Sequence, residues 1–283
     1  MPPRKDPTAR QRRLGLELRK LREAAGLTAR ELASLMGIDH TKVSHMETAR
    51  FGVGSDRLRA LASHCGCTDH TYVNALIAMA TEREKGWWEE YRGAIPTGFL
   101  DLSELEHKST FLHTYQVTHL PGLTQTEEYA RAVFEFTFPR LSKEQVENRI
   151  SHRLKRAQIL DRPHGPEFTA VIHEAALRMR FGGREMAREQ LNHLLALSER
   201  PNCTIRVLTF EANGFAGSGQ AVLHAGGSVP QLDTIHLDSA HGAFLLDAES
   251  ELNAYRDLLA AMEKASLNVT QSRDLIRGIA QTL

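Results

Sequence analysis

Four residues at fixed spacing constrain the first part of this chain more than any other feature. Ala33 is followed four positions later by Gly37, and Val43 and Met46 stand ten and thirteen positions after the alanine. Two helices that cross steeply over a tight turn need this pattern. The crossing admits only a small side chain, the turn requires positive φ, and the second helix buries one apolar face. We therefore predict two helices within residues 29–48, joined at the glycine. Three further apolar residues are expected to complete their core: Leu32, Leu35 and Ile38.

Capping residues and glycines place three more helices around this pair. Thr28 and Glu31 have the spacing of a capping box for the first helix of the pair, and Asp39 is a suitable cap for the second. Gly26 ends the amphipathic segment before them, where glycine commonly stops a helix. The five predicted helices span residues 14–25, 29–36 and 40–48, a fourth that opens at residue 55, and 69–92.

The charge of the chain is divided unequally. The net charge is zero, but residues 1–64 contain 13 Lys and Arg against 7 Asp and Glu, and the remainder contains 22 against 28. A basic segment joined to an acidic one indicates that the basic segment binds a polyanion. We expect residues 1–13 to form a flexible basic arm and residues 14–85 to form a nucleic-acid-binding domain.

The second helix of the pair would present polar side chains to solvent. With Val43 and Met46 turned inward, the outward residues are His40, Thr41, Ser44 and His45. In helix-turn-helix domains the N-terminal residues of this helix reach base edges in the major groove of DNA. Imidazole and hydroxyl groups hydrogen-bond to base edges, and a threonine methyl group suits thymine. We predict base contacts for all four residues; simple exposure of the two histidines is the alternative.

Phosphate contacts are expected beside this helix. Lys42 and Arg50 flank its outer face, and Thr28 and Arg30 stand at the start of the preceding helix. Cations, hydroxyl groups and helix N-termini bind phosphates without reading sequence. We predict that these four residues hold the backbone of double-stranded DNA.

The residues after Pro96 follow a different pattern, in which helices alternate with strands. Predicted helices span 101–115, 126–137, 143–160, 184–199, 249–264 and 270–281, and predicted strands span 168–173, 204–208, 220–225, 234–237 and 243–247. This alternation favours a mixed α/β domain. Thr124 and Glu127 have the spacing of another capping box. We expect residues 86–104 to form a linker or seam, and residues 105–283 to form a regulatory, dimerisation or partner-binding domain.

Two features of the second part leave alternatives open. Trp87, Trp88 and Tyr91 either fill the seam between the domains or form a docking surface for a partner. The basic residues of the predicted helix 143–160 form either a solvated face or a second stripe of phosphate contacts. These residues are Lys143, Arg149, Arg153, Lys155 and Arg156.

Composition and spacing argue against several classes of protein. The sequence contains no run of about 18 apolar residues that would span a membrane, and no apolar segment follows the basic N-terminus as in a secretory signal. Three cysteines, Cys65, Cys67 and Cys203, do not suit a disulfide framework or a four-ligand zinc site. No spacing typical of a metal site or a hydrolase is found. We expect a cytoplasmic protein that is not an enzyme and has no metal or cofactor.

Residues 14–61 resemble the helix-turn-helix domain of the xenobiotic-response-element (XRE) class, which includes the lambdoid phage repressors. The matching string is LRKLREAAGLTARELASLMGIDHTKVSHMETAR. The resemblance implies a five-helix, lambda-repressor-like domain. The chain departs from the class at two positions. Ala29 replaces a common glutamine that touches the DNA backbone, which Arg30 is placed to compensate, and Ala49 replaces a frequent glycine in the exit turn.

The remainder of the chain resembles the second domain of WhiJ-like regulators from filamentous actinobacteria. The runs that carry the resemblance are GWWEEY, YQVTHLPGLTQTEEYARAVF and HEAALRMRFGGREMAREQLNHLLALSERPNCTIRVL. It implies a transcription factor of antitoxin-like type, often encoded beside a small partner protein.

These observations lead to two hypotheses about function. The first is a sequence-specific transcriptional regulator, such as a repressor, that acts as a homodimer on a palindromic site. One small domain makes few base contacts, and two-fold symmetry doubles them. The alternative is an antitoxin-like interaction module that binds a small partner protein and autoregulates its own operon.

Overall fold

The computed structural model describes residues 7–82, 85–214, 219–239 and 242–283. The chain divides into two compact units, Met1–Gly86 and Trp87–Leu283. The described part of the first unit is helical, and the second unit is built on a mixed β-sheet. A helical region followed by a mixed α/β unit is the general layout that the sequence predicts.

Local capping interactions determine where the helices of the first unit begin. The Thr8 side chain caps the first helix in a capping box with Gln11, and Thr28 does the same for the second helix with Glu31. The carboxylate of Asp39 accepts a hydrogen bond of 2.8 Å from the backbone N–H of Thr41 at the start of the third. The helices are α1 (Ala9–Ala24), α2 (Ala29–Leu35), α3 (His40–Glu47), α4 (Ser55–His64) and α5 (His70–Thr81).

Three predictions for the first unit need correction. Residues 9–13, expected in a flexible arm, are the first turns of α1, because Thr8 and Gln11 form a capping box that the sequence reading overlooked. Residues 1–6 of that arm lie outside the described residues. Helix α5 ends at Thr81 and does not run on to residue 92. The Leu35 side chain is 52% exposed and is not part of the core.

The second unit contains one six-stranded sheet in the order β3-β2-β1-β4-β5-β6. Strands β1, β2 and β3 are parallel, and β4, β5 and β6 continue the sheet in antiparallel pairs. The elements are α6 (Thr97–Lys108), β1 (Phe111–Gln116), α7 (Glu127–Glu135), α8 (Lys143–Ala157), β2 (Glu167–His173), α9 (Glu174–Arg178), α10 (Arg184–Leu197), β3 (Cys203–Leu208), β4 (Val222–Gly226), β5 (Thr234–Ser239), β6 (Gly242–Leu246), α11 (Glu249–Ala265) and α12 (Val269–Thr282). Short 3-10 helices at Trp87–Tyr91, Gly122–Thr124, Gln158–Asp161 and Pro230–Leu232 lie between them.

Apolar side chains cover both faces of the sheet. On one face Leu112 and Ile172 pack in a cluster with Leu194 of α10 and Ile276 of α12. The other face is covered by α11, whose inward residues are Leu252, Leu259 and Met262. Strands of a sheet that is buried on both faces show no clear polar alternation.

Three predictions for the second unit are also wrong. Residues 111–115, expected at the end of a helix, belong to the inner strand β1. Residues 87–104, expected as a linker or seam, do not form a free linker, because they are part of the second unit, in which Trp88 and Leu100 pack in one apolar cluster. The cap of α7 is Thr126, which accepts from the backbone N–H of Tyr129, and Thr124 does not cap this helix.

Candidate nucleic-acid interface

The turn between α2 and α3 has the geometry that the four spaced residues predict. Ala33, Val43 and Met46 are buried, and Gly37 has a φ of +63°. This glycine follows the last residues of α2, where positive φ allows the chain to reverse at no steric cost. The two helices therefore pack through a small-residue crossing, and the outer side of α3 is left free of the unit's own core.

A left-handed residue also ends α3. Ala49 has a φ of +55°. The backbone N–H of Arg50 donates to His45 O at 2.8 Å, and that of Ala49 donates to Met46 O at 3.1 Å. These two bonds form the Schellman motif, which normally has glycine at this position.

Helix α1 holds α3 through two contacts that the sequence reading missed. Gly15 of α1 lies so close to the end of α3 that an added Cβ would stand 2.9 Å from the carbonyl carbon of Glu47. Arg22 forms two hydrogen bonds with the Glu47 carboxylate, of 2.6 and 3.0 Å, and a third of 2.8 Å with Leu27 O. The hydrogen bond to Glu47 raises the pKa of Arg22. These residues could have been found, because Arg22 is four positions after Leu18 on the apolar face of α1, and a glycine inside a helix commonly marks a close packing contact.

A second buried network joins α1 to α5. Glu17 accepts hydrogen bonds from Arg13 at 2.8 Å, from Lys20 at 2.7 Å and from the Tyr72 hydroxyl at 2.6 Å. Burial, together with the Glu17 carboxylate, raises the pKa of Tyr72. The network fixes the position of α1 relative to α5, and α1 is the helix that packs against α3.

The four predicted base-contacting residues differ in side-chain exposure and in the contacts they make within the unit. His40, Thr41 and Ser44 are exposed, whereas His45 is half-buried and its ring packs edge-on against Phe51 with the centroids 4.9 Å apart. The Thr41 hydroxyl donates to the Asp39 carboxylate, so it is available as an acceptor and through its methyl group. Hydrogen bonds from Thr41 lower the pKa of Asp39. The Asp39 carboxylate thus stays ionised as the cap of α3.

The predicted phosphate-contacting residues also fall into two groups. Arg30, Lys42 and Arg50 are exposed, and none of them forms a salt bridge with another described residue. Thr28 is different, because both its hydroxyl and its backbone N–H donate to the Glu31 carboxylate at 2.7 Å. Its donors are therefore engaged within the capping box.

The aromatic residues Trp87, Trp88 and Tyr91 pack within the second unit. The Trp87 ring lies 5.4 Å from the ring of His152 on α8, and the Tyr91 hydroxyl lies 2.8 Å from Ser151 Oγ. Trp88 is buried in this arrangement. These contacts account for the three rings as part of the unit's own packing; their role toward a partner or at a domain seam stays a prediction.

Neither a metal-binding cluster nor a membrane-spanning helix is found in the described part of the chain. Within residues 7–82, 85–214, 219–239 and 242–283, no group of three or more His, Cys, Asp or Glu is placed to hold a metal ion. None of the helices described there combines the length and apolar character required to cross a bilayer.

Two family models match the chain. A helix-turn-helix domain model matches residues 13–72, which cover α1 from Arg13 onward, α2 to α4 and the α2–α3 turn. A model for a domain of unknown function, DUF5753, matches residues 99–278, more than half of the 283 residues. No curated protein matches the chain, and no solved structure does so either. The chain therefore carries a helix-turn-helix domain of the DNA-binding type and belongs to the DUF5753 family.

Proposed function

We propose that this protein is a sequence-specific transcriptional regulator of the XRE class and of WhiJ-like type, in which α3 lies in the major groove of DNA. The observation that carries the proposal is the two-sided character of α3. Val43 and Met46 are buried, while His40, Thr41 and Ser44 on the other side are exposed. The match to a helix-turn-helix domain supports DNA as the partner.

In this proposal the exposed residues have separate roles. His40 and Ser44 hydrogen-bond to base edges, Thr41 offers its methyl group and its acceptor lone pairs, and His45 contributes the part of its ring that Phe51 leaves uncovered. Arg30, Lys42 and Arg50 bind phosphates and set the position of α3 on the duplex. Thr28 acts as the cap of α2, since its donors are already engaged.

We also propose that the protein binds as a homodimer to a roughly palindromic operator. Three or four base contacts from one small domain give limited discrimination, and a second domain related by two-fold symmetry doubles it. The half-sites are expected about 34–36 Å apart along the duplex, or a multiple of that distance.

A binding experiment tests base readout. The purified protein selects sites from a random duplex library, and the affinity of each variant for the selected site is compared with its affinity for a scrambled duplex. Ser44→Ala and His40→Ala are each expected to weaken specific binding by about tenfold, because a good base contact contributes about 1–3 kcal/mol. Binding to the scrambled duplex is expected to change little.

The matched control is His64→Ala, which removes another exposed histidine of the same unit. It is expected to leave both affinities unchanged. If wild-type protein selects no site, or if Ser44→Ala and His40→Ala bind the selected site as the wild type does, α3 does not read bases.

A second candidate function is an antitoxin-like interaction with a small protein. It is favoured by two exposed aromatic side chains between α7 and α8, Phe136 and Phe138, which are 78% and 93% exposed. Large exposed aromatic residues are typical of binding surfaces. The product of the neighbouring gene, co-expressed with this chain, is expected to co-purify with the wild type and not with Phe138→Ser. Equal recovery with both would remove these phenylalanines from the proposal.

A further inference from the structure

Three arginines of α8 face into the second unit. Arg149, Arg153 and Arg156 are spaced by four and three residues and lie on the same side of the helix as the buried Val146 and Ile150. Arg149 and Arg153 lie over the Phe134 ring, at 5.9 and 4.4 Å from its centroid. Arg156 is buried, so neither a solvated face nor a stripe open to a DNA backbone describes this residue, whereas Arg149 and Arg153 are partly exposed.

The negative charge facing these arginines is small. Among the described residues, the carboxylate in contact is Glu106 of α6, which lies 3.0 Å from Arg156, and both side chains are less than a tenth exposed. Asp238 of β5 interacts with Arg153 at longer range, and its side chain is 73% exposed. Burial lowers the pKa of Arg153 to about 9, to which the charge of Arg156 adds, and burial raises that of Glu106 to about 7. Burying cations without matching anions is costly.

Several polar atoms of this cluster also lack hydrogen-bond partners. Nε of Arg153, Nε of Arg156 and Oε2 of Glu106 are buried and form no hydrogen bond with any described residue. The Arg156–Glu106 contact is therefore an ion pair without hydrogen-bond alignment. Buried polar atoms are satisfied in most proteins, and exceptions commonly mark a place for a bound group.

The surrounding backbone and side chains hold the guanidinium groups in place. Gln125 donates to Leu120 O at 2.7 Å and accepts a hydrogen bond from Arg153. Gly122 lies directly against the Arg156 guanidinium, and an added Cβ there would overlap Nη2. An arginine fork that is fixed in this way can hydrogen-bond to two oxygens of a carboxylate or phosphate at once.

We propose that Arg153 and Arg156, supported by Gln125 and Gly122, bind a small ligand that bears an oxyanion, either a carboxylate or a phosphate. Arg156 is too buried to reach a nucleic-acid backbone, whereas Arg153 is half-buried and gives a small anion access from solvent. The bound oxyanion supplies negative charge beside both guanidinium groups and an acceptor for Arg153 Nε. The Phe134 ring, over which Arg153 lies, provides an apolar neighbour for the rest of the ligand.

The two tryptophans of the chain report on this site. Trp87 and Trp88 are the only tryptophans in the sequence, and the Trp87 ring contacts His152, the residue next to Arg153. The full chain is titrated with inorganic phosphate and, separately, with acetate, with sodium chloride keeping the ionic strength constant. We expect a saturable change in tryptophan fluorescence with at least one of the two anions, and the anion that gives it identifies the class of oxyanion.

Variants show whether the response comes from the α8 arginines. Arg153→Gln is expected to weaken binding of the anion at least tenfold. Arg153→Lys is expected to weaken binding less, because lysine keeps the positive charge but lacks the planar fork of arginine. Arg188→Gln, which removes an exposed arginine of the same unit, is the matched control and should bind as the wild type does. Circular dichroism verifies that each variant is folded.

Two results would overturn the proposal. One is the absence of a saturable response of the wild-type chain to both anions. The other is a response that Arg153→Gln retains in full. If Arg153→Gln does not fold, the anion affinity of Arg153→Lys is compared with that of Arg188→Gln. Equal affinities of these two variants would refute the site.

Discussion

A single residue at the end of α3 adopts a backbone conformation that its side chain disfavours. Ala49 is the non-glycine residue with positive φ among those that the structure describes. The left-handed conformation costs an L-residue about 1–2 kcal/mol. The Schellman bonds of Arg50 and Ala49 and the buried Met46 before them hold it there. The sequence reading identified this position only as a departure from a frequent glycine.

Replacing Ala49 with glycine is expected to stabilise the first unit. The relief of strain outweighs the extra chain entropy of glycine in the unfolded state, for a net gain of about 0.5–1 kcal/mol. Hydrogen exchange measured by mass spectrometry on peptides that cover α3 is expected to show slower exchange in Ala49→Gly. The control is Gly37→Ala, since Gly37 has a φ of +63° and the same argument predicts faster exchange there. Slower exchange in Gly37→Ala would contradict the argument.

At the scale of elements, the position of α3 depends on its packing against α1. The approach at Gly15 and the nearly buried Arg22–Glu47 pair both act on the last turn of α3. Removing one partner of such a pair typically costs about 3–5 kcal/mol. The element that carries the candidate base contacts is therefore placed by contacts of α1 with its last turn.

Gly15→Ala is expected to weaken specific DNA binding without unfolding the unit completely. The new methyl group would overlap the Glu47 carbonyl, so α1 and α3 must separate, and we expect a loss of about 1–3 kcal/mol in stability, as for other overpacked cores. A shift of α3 should reduce affinity for the selected site by more than affinity for scrambled DNA. Gly278→Ala on α12, where an added Cβ meets no atom within 4 Å, is the matched control. Normal site selectivity in Gly15→Ala would show that α3 does not depend on this contact.

The sequence allowed most helices and strands to be predicted, and the errors have physical causes. Turn and cap residues such as Thr28 and Gly37 carry local information, and the structure places a capping box at Thr28 and a left-handed turn at Gly37. Strand β1 was missed because Phe111–Gln116 mixes apolar and polar side chains without a regular alternation, so the segment can be read as the end of a helix. The inward arginines of α8 share the face of Val146 and Ile150, but a helix periodicity does not show which charges the rest of the fold covers.

The segment Trp87–Tyr91 and helices α6 and α8 enclose a histidine that should make the second unit sensitive to acid. His152 is buried, and its Nε2 lies 2.9 Å from Ser103 Oγ. Burial lowers its pKa to about 3, and the nearby Arg156 and Arg153 add to this effect. The unfolded chain takes up a proton near pH 6.5 and the folded chain does not. Stability from this group is therefore present above that pH and is lost as the pH falls toward 3.

His152→Gln is expected to reduce the pH dependence of stability between pH 4 and pH 6. One histidine contributes a slope of at most about 1.4 kcal/mol per pH unit in this window. Urea denaturation followed by tryptophan fluorescence measures the second unit alone, because both tryptophans lie in it. His164→Gln removes an exposed histidine of the same unit and is the matched control. Identical slopes for His152→Gln and the wild type would show that His152 is not held neutral by the fold.

At the scale of the whole molecule, the zero net charge conceals two segments of opposite sign. The excess of Lys and Arg lies in residues 1–64, and the excess of Asp and Glu lies in the remainder. The second part is acidic in composition, and its α8 arginines face into the unit. A regulator with this distribution is expected to attract DNA to one part of the chain and to repel it from the surface of the other.

The salt dependence of DNA binding should therefore depend on which unit loses a cation. Each phosphate contact that a lysine makes adds about 0.9 to the slope of log affinity against log salt concentration, because binding releases condensed counterions. Lys42→Ala is expected to flatten the slope by about 0.9, or about twice that if two copies bind the operator. Its order of preference among sites should remain unchanged, since a phosphate contact carries no sequence information.

The matched control, Lys143→Ala, removes an exposed lysine of the second unit and should leave the slope as it is. A changed preference with an unchanged slope would make Lys42 a base-reading residue, and equal flattening by both variants would mean that attraction for DNA is not confined to the first unit.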